Sequence, residues 1–373
     1  MAGDTPLRQL RVSGYASLAD VTLDLNTEVT LLVGGNGAGK SNLVGAFELL
    51  GRIIDRQLQS YIVRKGGFGS ILHRPVDPAL SPDGVRLEAW SDWEGDLTNG
   101  YRADLIAAAE DSVAITETTF FHDRSRYPNP RQDDLGTHRE SVLVSAADDR
   151  NTFAHYARKA VSGCRVFHFD DVSADAPVKR YADTADNISL HPDASNLAPV
   201  LLRLRAEHPE QYDAIIRSIR NVAPFFGDFV LRPEVSGLRL RWSETGLDHV
   251  FSADQLSDGT LRFICLAVLL QQPERPHTIV LDEPELGLHP FAIHQLADMM
   301  RSAAAGRRLV AATQSVTLLS QFDISELAVL DRTARGTTIT RHDPASFEQW
   351  LEDYSVGEIW EKNLLGGRPR RLL

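Results

Sequence analysis

Cysteine is scarce in this 373-residue sequence, which contains only Cys164 and Cys265. The two residues lie far apart and lack metal-ligand spacing, which argues against a disulfide framework and a zinc site. No stretch of about 18 apolar residues occurs, so the sequence predicts no membrane span. The first residues also lack the apolar core of a signal peptide. We therefore expect a soluble protein in a reducing cytoplasm.

Positive charge is also in deficit, because 39 Lys and Arg residues face 51 Asp and Glu residues and leave a net charge of -12. Such a charge argues against extended binding of nucleic acid, so any contact with DNA needs a local patch. Two arginine clusters are candidates for the patch: Arg124, Arg126 and Arg131, and Arg368, Arg370 and Arg371. Since we identify no aromatic stacking platform between these arginines, solvated surface side chains are the alternative interpretation.

Hydrophobic residues make up 43% of the chain and charged residues 24%, which is typical of a globular protein. A continuous apolar run at residues 28–33 indicates a buried central strand. Strand and helix alternate in the last third, which indicates a parallel sheet with crossover helices. Residues 196–219 have helical periodicity with a break at His208 and Pro209, and residues 121–145 look like an exposed connection. Alternating segments predict further strands at 9–12, 21–25, 85–90, 101–106 and 113–120.

The segment after the apolar run, residues 34–41, has the sequence GGNGAGKS and matches the phosphate-binding P-loop pattern in full. Glycines allow the positive φ angles that turn successive N–H groups toward phosphate, and the next helix points its N-terminus at the same anion. Lys40 would reach the β- and γ-phosphates, and the Ser41 hydroxyl would ligate Mg²⁺. The nucleotide-binding candidates here are Gly35, Asn36, Gly37, Ala38, Gly39, Lys40, Ser41 and Asn42.

A second apolar run, residues 278–281, ends in Asp282, Glu283, Pro284 and Glu285. Asp282 would hold Mg²⁺ through water, and Glu283 would polarise the attacking water. An ordinary acidic turn after a strand is the alternative. The presence of a P-loop in the same chain favours the Walker B interpretation.

A third motif, LSDGT at residues 256–260, opens a long apolar helix and resembles the LSGGQ signature of ABC ATPases. It lies 25 residues before Asp282 (282 − 257). A hydroxyl and a glycine at a helix N-terminus form an anion site, with Ser257 and Gly259 as the binding candidates. Ser257 acting only as a helix N-cap is the alternative.

With these motifs in this order, the chain resembles predicted bacterial ATPases of the RecF/OLD/SMC-like branch of ABC ATPases, also described as AAA family ATPases. The resemblance includes GGNGAGKSN, LSDGTLRF, LDEPELGLHP, ATQS and WLEDYSVGEIWEKNLLGGRP. It implies an α/β P-loop NTPase fold, an ABC-type head with a mixed sheet, an antiparallel β-subdomain and a helical insertion. The implied units are lobe I at 1–120, the helical insertion at 121–224 and lobe II at 225–373.

The resemblance also implies Mg-ATP hydrolysis in a head-to-tail homodimer, in which Ser257 and Gly259 complete the partner's nucleotide site. Glu285, Leu286, Gly287 and Leu288 would form the D-loop at the dimer interface. Gln314 stands where many relatives have a switch histidine, so we include it among the catalytic residues with Lys40 and Glu283. A glutamine donates a hydrogen bond but cannot become cationic.

Two positions depart from the family pattern. Ala16 occupies a segment in which relatives carry an arginine that contacts nucleotide. No clear lid-loop glutamine is present, and His73 is a weak candidate for that position, with a simple surface histidine as the alternative.

The resemblance favours an ATP-driven switch in DNA repair or anti-phage defence, working with a partner effector such as a nuclease or toxin. Only 84 residues follow His289 (373 − 289), and no acidic nuclease constellation occurs among them, so we expect no Toprim nuclease domain. Two alternatives stay open: the ATP-hydrolysing subunit of a membrane transporter, and an ATP sensor that does not hydrolyse.

Overall fold

The computed structural model describes residues 5–92, 95–109, 112–148 and 152–367. The strands in chain order are β1 (Leu7–Tyr15), β2 (Leu18–Asp24), β3 (Val29–Val33), β4 (Gly84–Asp92), β5 (Leu97–Ala107), β6 (Val113–Asp123), β7 (Arg131–His138), β8 (Cys164–Phe167), β9 (Phe226–Phe229), β10 (Arg241–Glu244), β11 (Val250–Ser252), β12 (Thr278–Asp282), β13 (Arg308–Thr313), β14 (Leu327–Thr333) and β15 (Gly336–Thr340).

The helices are α1 (Lys40–Ile54), α2 (Leu58–Arg64), α3 (Phe68–Ile71), α4 (Leu143–Asp148), α5 (Thr152–Ser162), α6 (Leu197–Glu207), α7 (Pro209–Val222), α8 (Asp258–Gln271), α9 (Pro290–Ala304), α10 (Val316–Leu319), α11 (Glu348–Leu351) and α12 (Val356–Glu361). Short 3-10 turns lie at Pro78–Leu80, Pro177–Lys179, Ala253–Gln255, Ile324–Glu326 and Pro344–Phe347. The predicted helical break at His208 and Pro209 is confirmed, because α6 ends at Glu207 and α7 begins at Pro209.

A mixed six-stranded sheet with the order β15-β14-β3-β13-β12-β8 organises the nucleotide-binding motifs. Its strands are parallel except β15, which pairs antiparallel with β14. The carboxyl ends of parallel strands share one edge of the sheet, where ligands bind in open α/β folds. The loops after β3, β12 and β13 therefore meet at this edge.

Both faces of this sheet are covered, which explains why its central strands are continuous apolar runs. All five residues of β3 are buried. Leu31 and Val33 face the core that contains α6, α7, α8 and α9, whereas Leu32 faces the core formed with α1 and the antiparallel sheet. The sheet thus separates two hydrophobic cores.

A second, antiparallel sheet has the order β2-β1-β4-β5-β6-β7. In β4 the side chains alternate, with Val85, Leu87, Ala89 and Ser91 buried and the others partly or fully exposed. One face of the sheet packs on the core around α1 and α5 and the other meets solvent, as is usual for antiparallel sheets. The predicted mixed sheet and antiparallel β-subdomain are both confirmed.

The prediction for residues 121–145 is wrong. β6 continues to Asp123, and residues 131–138 form β7, the edge strand that pairs with β6. Most β7 side chains are exposed, so this strand has no hydrophobic alternation in its sequence. The segment 121–224 also contains β8, a strand of the nucleotide-binding sheet, so it is not a purely helical insertion.

The long apolar run in the sequence forms α8, whose residues 261–270 are all buried between α7 and α9. A small sheet, β11-β10-β9, leads into the N-terminus of this helix. Within the described residues, no helix combines the length and hydrophobicity that a membrane crossing requires.

Candidate functional site

The P-loop connects β3 to α1, which begins at Lys40. Gly37 and Gly39 have φ angles of 80° and 111°, a region that side chains with a Cβ rarely adopt. The Lys40 side chain is buried, and its Nζ donates to the carbonyl oxygens of Gly34 at 2.7 Å and Gly35 at 3.3 Å. The lysine therefore lies along the inside of its own loop.

Hydroxyl groups from the β1–β2 turn and from β15 support the P-loop. Ser17 Oγ and Thr337 Oγ1 lie 2.7 Å apart, and Thr337 Oγ1 donates to Ala38 O at 2.9 Å. A Cβ at Gly39 would lie 2.2 Å from Thr337 Oγ1, so only glycine fits there. The Asn42 side chain donates to Ser17 Oγ at 2.7 Å and thus takes part in this support.

The C-terminal segment also contacts the P-loop. The Gly35 N–H donates to Gly367 O at 2.6 Å, and Gly367 packs against Gly34. This contact uses a main-chain donor that the sequence assigns to nucleotide. Arg368, Arg370 and Arg371 lie outside the described residues.

Three motif residues meet at the ends of β12 and β13. Asp282 ends β12, and Glu283 follows with a φ of 43°, a conformation that is uncommon and costly for a residue other than glycine. Gln314 follows β13, and its Nε2 donates to Glu283 Oε1 at 3.1 Å. The structure therefore brings the predicted switch residue into direct contact with the predicted catalytic carboxylate.

Glu285 is partly buried, and its carboxylate points into the protein. Its Oε1 accepts a hydrogen bond from Thr313 Oγ1 at 2.5 Å, and its Oε2 is buried with no partner among the described residues. Burial raises the pKa of Glu285. Leu286 in the same predicted D-loop is half exposed, so the loop is anchored inward at one residue and exposed at the next.

A cavity of about 210 Å³ lies at this edge of the sheet. Besides apolar side chains, it is lined by Ser41, His168, Asp170, Arg262, Asp282 and Glu283. Three of these residues were not predicted from the sequence: His168, Asp170 and Arg262. His168 and Asp170 follow β8. A short apolar strand followed by HFDD resembles β12, which is also an apolar strand that leads into carboxylates, so the sequence did carry a signal for these residues.

The cavity places charges of both signs close together. Burial raises the pKa of Asp282, whereas His168 and Lys40 act in the opposite direction. Burial lowers the pKa of Lys40, and the carboxylates of Glu283, Asp282 and Glu285 oppose that shift. This partial compensation lets a lysine and two neighbouring acids share a poorly solvated site.

The donor set fits a magnesium ion. Ser41 and Asp282 line the same cavity, and a hydroxyl and a carboxylate are oxygen ligands of the kind Mg²⁺ takes. Mg²⁺ uses few protein ligands and completes its shell with water and phosphate oxygens. Among the described residues, no group of three or more His, Cys, Asp or Glu side chains is arranged to hold a metal by itself.

The predicted signature turn at residues 256–260 does not line this cavity in the described part of the chain. Ser257 is the N-cap of α8, since its Oγ accepts from the Thr260 N–H at 3.1 Å. The capping role is therefore confirmed, and a second role in anion binding stays a prediction. The serine is exposed and does not line the cavity in the described part of the chain. A Cβ at Gly259 would lie 2.4 Å from Gly287 O, so this glycine lets α8 approach the D-loop closely.

His73 is not a surface residue. It is only 5% exposed, and its Nδ1 lies 2.7 Å from Ala16 O in the turn between β1 and β2. That turn holds Ala16 at a φ of 47°. His73 thus lies under the β1–β2 turn, away from the cavity lining, and the surface interpretation is wrong.

The first arginine cluster is partly neutralised. Arg124 pairs with Asp92 at 3.4 Å, and Arg126 pairs with Asp123 at 3.4 Å. Arg131 instead lies over the ring of Tyr127, with its guanidinium carbon 5.3 Å from the centroid. An aromatic ring therefore lies beside this cluster, where the sequence led us to expect no stacking platform between the arginines.

Comparison with protein-family models gives a match to the family described as "AAA domain, putative AbiEii toxin, Type IV TA system". The match covers residues 29–320, more than half of the chain. The chain belongs to this AAA-domain family. The matched range includes the P-loop, the predicted signature at residues 256–260 and the loops after β12 and β13. A comparison with curated proteins gives no significant match.

Two solved structures of other proteins have the same fold as this member of the AAA-domain family. An Smc head bound to the C-terminal winged-helix domain of ScpA matches with a TM-score of 0.61 and 13% identity, covering 93% of this chain and 99% of that one. A Pyrococcus furiosus Smc head with an extended coiled coil, bound to the C-terminal domain of ScpA, matches with a TM-score of 0.54 and 13% identity, covering 93% and 98%. The chain therefore has the fold of an SMC-like P-loop ATPase head, as predicted.

Proposed function

We propose that this protein is a switch that binds and hydrolyses Mg-ATP between two copies of the chain arranged head to tail. The single observation that supports it best is the cluster at one sheet edge. Ser41 after β3 lines one cavity with Asp282 and Glu283 at the end of β12. Lys40 directly precedes Ser41, and Gln314 after β13 donates to Glu283. Phosphoryl transfer to water needs a phosphate cradle, a metal ligand and a residue that orients water, and this cluster contains all three.

Each side chain has a defined task in this proposal. Lys40 leaves the carbonyls of Gly34 and Gly35 and takes the β- and γ-phosphates as replacements. Ser41 and Asp282 hold Mg²⁺, which neutralises charge that develops on the phosphate oxygens. Glu283 accepts a proton from the attacking water, and Gln314 holds the Glu283 carboxylate in position.

The need for two copies follows from the position of the signature turn. Ser257 is exposed and lies outside the cavity, although Ser257 and Gly259 form an anion-binding helix N-terminus. Such a site serves the nucleotide of a second chain. Leu286 in the predicted D-loop and Phe291 at the start of α9 are half exposed, and they supply apolar surface for that contact.

Complementation between two inactive variants tests the shared site. Lys40→Ala loses nucleotide binding, and Ser257→Arg disables the signature of its own chain while it keeps its own P-loop. Mixing the two rebuilds one complete site, formed by the P-loop of the second variant and the signature of the first. We expect each variant alone to be inactive and the mixture to release phosphate.

Two controls make this result specific. Ser60→Arg introduces the same bulk at another exposed serine and should leave turnover unchanged. Calorimetry on Lys40→Ala should show no ATP binding, and retained binding would contradict the P-loop assignment. An inactive mixture of two folded variants would contradict the shared site. The mixture also separates hydrolysis from a sensor that only binds, because a sensor releases no phosphate.

The output of the switch is proposed to be a partner effector in anti-phage defence or DNA repair. The family description names a toxin of a toxin–antitoxin system, which supports the defence role. The Smc heads of the same fold are described in complex with domains of ScpA, which supports a protein partner. Purification of the Glu283→Gln variant with ATP from its source cells should retain the effector, and the Lys40→Ala variant should not.

DNA contact through the first arginine cluster is a second candidate, favoured by one observation. Arg126, Tyr127 and Arg131 border a cavity of about 490 Å³ whose other wall includes the stacked rings of Phe121 and Phe153. Bases of single strands stack on such surfaces. Filter binding with ATP should show affinity that falls steeply with salt. No affinity for single or double strands at low salt would refute direct contact.

A further inference from the structure

Arg262, on the second turn of α8, is a buried arginine whose hydrogen bonds all go to main-chain carbonyls in the described part of the chain. The side chain is 7% exposed. Its Nε donates to Phe169 O at 2.8 Å and its Nη2 donates to Asp170 O at 3.2 Å. Its Nη1 donates to Leu286 O. One guanidinium thus joins three segments that are distant in the sequence.

Each of these segments has a place in the proposed site. Phe169 and Asp170 follow β8 and line the catalytic cavity. Leu286 belongs to the D-loop, three residues after Glu283. Arg262 itself lies five residues after Ser257, in the helix whose N-terminus carries the signature. The guanidinium therefore connects the chain's own cavity with the surface offered to the partner.

The connection is rigid for two reasons. A guanidinium presents its donors in one plane and in fixed directions, so three carbonyls on two loops fix its orientation. The first turn of α8 also lies against the D-loop, where the backbone at Gly259 approaches Gly287 O. The helix N-terminus cannot shift relative to either loop unless hydrogen bonds of a buried charge break.

We propose that Arg262 is a positioning residue that fixes the signature end of α8 against the D-loop and the β8 loop, so that Ser257 and Gly259 are correctly placed for the partner's nucleotide. This role rests on the shared site proposed above. It assigns to Arg262 an effect in trans: the arginine matters more in the chain that donates the signature than in the chain that donates the P-loop.

Two substitutions separate this role from general stability. Arg262→Met keeps the length and apolar stem but removes every donor. Arg262→Lys keeps the charge and burial but offers one point charge instead of a planar fork, so it cannot bridge the three carbonyls. Arg308→Met is the matched control. Arg308 also binds main-chain carbonyls, Leu25 O at 2.7 Å and Arg307 O at 2.9 Å, at the opposite end of β13 from Thr313.

The test adds each substitution to one member of the complementing pair at a time. When Arg262→Met or Arg262→Lys is placed in the Lys40→Ala chain, which donates the signature, we expect kcat to fall on the order of 100-fold, because small misplacements of catalytic groups have effects of that size. The KM for ATP should change little, since the intact P-loop lies in the other chain. The same substitution in the Ser257→Arg chain should lower kcat much less, because there it alters only the wall of the cavity and not the placement of a working signature.

The outcomes are distinct. Equal losses with the substitution in either chain, or full turnover with lysine in the signature donor, would overturn the role of Arg262. If the parent pair lacks turnover, the shared site itself is wrong and this role falls with it. Arg308→Met in either chain should leave complementation unchanged. Should Arg262→Met not fold, as judged by thermal unfolding, the lysine variant gives the same comparison.

Discussion

The hydrogen bond between Gln314 and Glu283 is the contact whose loss has the most direct expected effect on turnover. Gln314→Ala removes the donor that lies 3.1 Å from Glu283 Oε1. Glu283 stays tied to β13 by its main-chain N–H, which donates to Ala312 O at 2.9 Å. The substitution therefore frees the carboxylate while its backbone remains in place.

The size of the effect follows from the kind of bond. A hydrogen bond to a charged group contributes about 1.5–3 kcal/mol. Glu283 is partly exposed, and solvent screening favours the lower end of that range. Because each 1.36 kcal/mol changes a rate tenfold, we expect kcat to fall roughly 10-fold to 30-fold. The KM for ATP should stay the same, since the P-loop is untouched.

Steady-state phosphate release over a range of ATP concentrations measures both constants. Gln321→Ala is a suitable control, because the Gln321 side chain donates to Thr317 O rather than to a catalytic residue. Gln314→Glu keeps the shape but places a second carboxylate beside Glu283, so it should be at least as slow as the alanine variant. A kcat for Gln314→Ala within about twofold of the parent would refute the reasoning, since it would imply less than about 0.5 kcal/mol from this bond.

Three further changes have clear expected results. The raised pKa of the partly buried Glu285 means that stability falls as the pH rises through the folded-state value. Glu285→Gln, which can still accept from Thr313, should therefore raise the Tm of the nucleotide-free protein more at alkaline pH than in acid. Gly259→Ala should lower the Tm and abolish signature donation in the complementation assay, because its Cβ meets main-chain oxygen. Burial raises the pKa of Cys164 and Cys265 to about 12, so mass spectrometry should find both unalkylated until the protein unfolds.

Local patterns were sufficient for the parts of the fold that are apolar and contiguous. β3, β12 and α8 are buried along almost their whole length, so their sequences carry the signal. β7 is an exposed edge strand whose only neighbour is β6, and it has no hydrophobic alternation. β8 has four residues and is defined by parallel pairing with β12, more than a hundred residues away. Such non-local pairing leaves little trace in a short window of sequence.

The same distinction applies to the site. Lys40, Ser41, Asp282 and Glu283 belong to motifs whose spacing is visible in the sequence, and the fold brings them to one edge. Arg262 was missed because its partners are main-chain carbonyls, which no side-chain pattern reveals. The occupied N–H of Gly35 was missed for the same reason, since its acceptor, Gly367, lies at the other end of the chain.

The most direct test of the central claim is the mass of the Glu283→Gln variant with Mg-ATP, measured by light scattering. This substitution removes the base but leaves the phosphate cradle and the metal ligands, so ATP should bind without being hydrolysed. The account predicts a particle of twice the chain mass with Mg-ATP and a smaller one without it. A double variant that carries both Glu283→Gln and Lys40→Ala should lack the larger species. A folded Glu283→Gln protein that binds ATP yet stays monomeric would contradict the shared site.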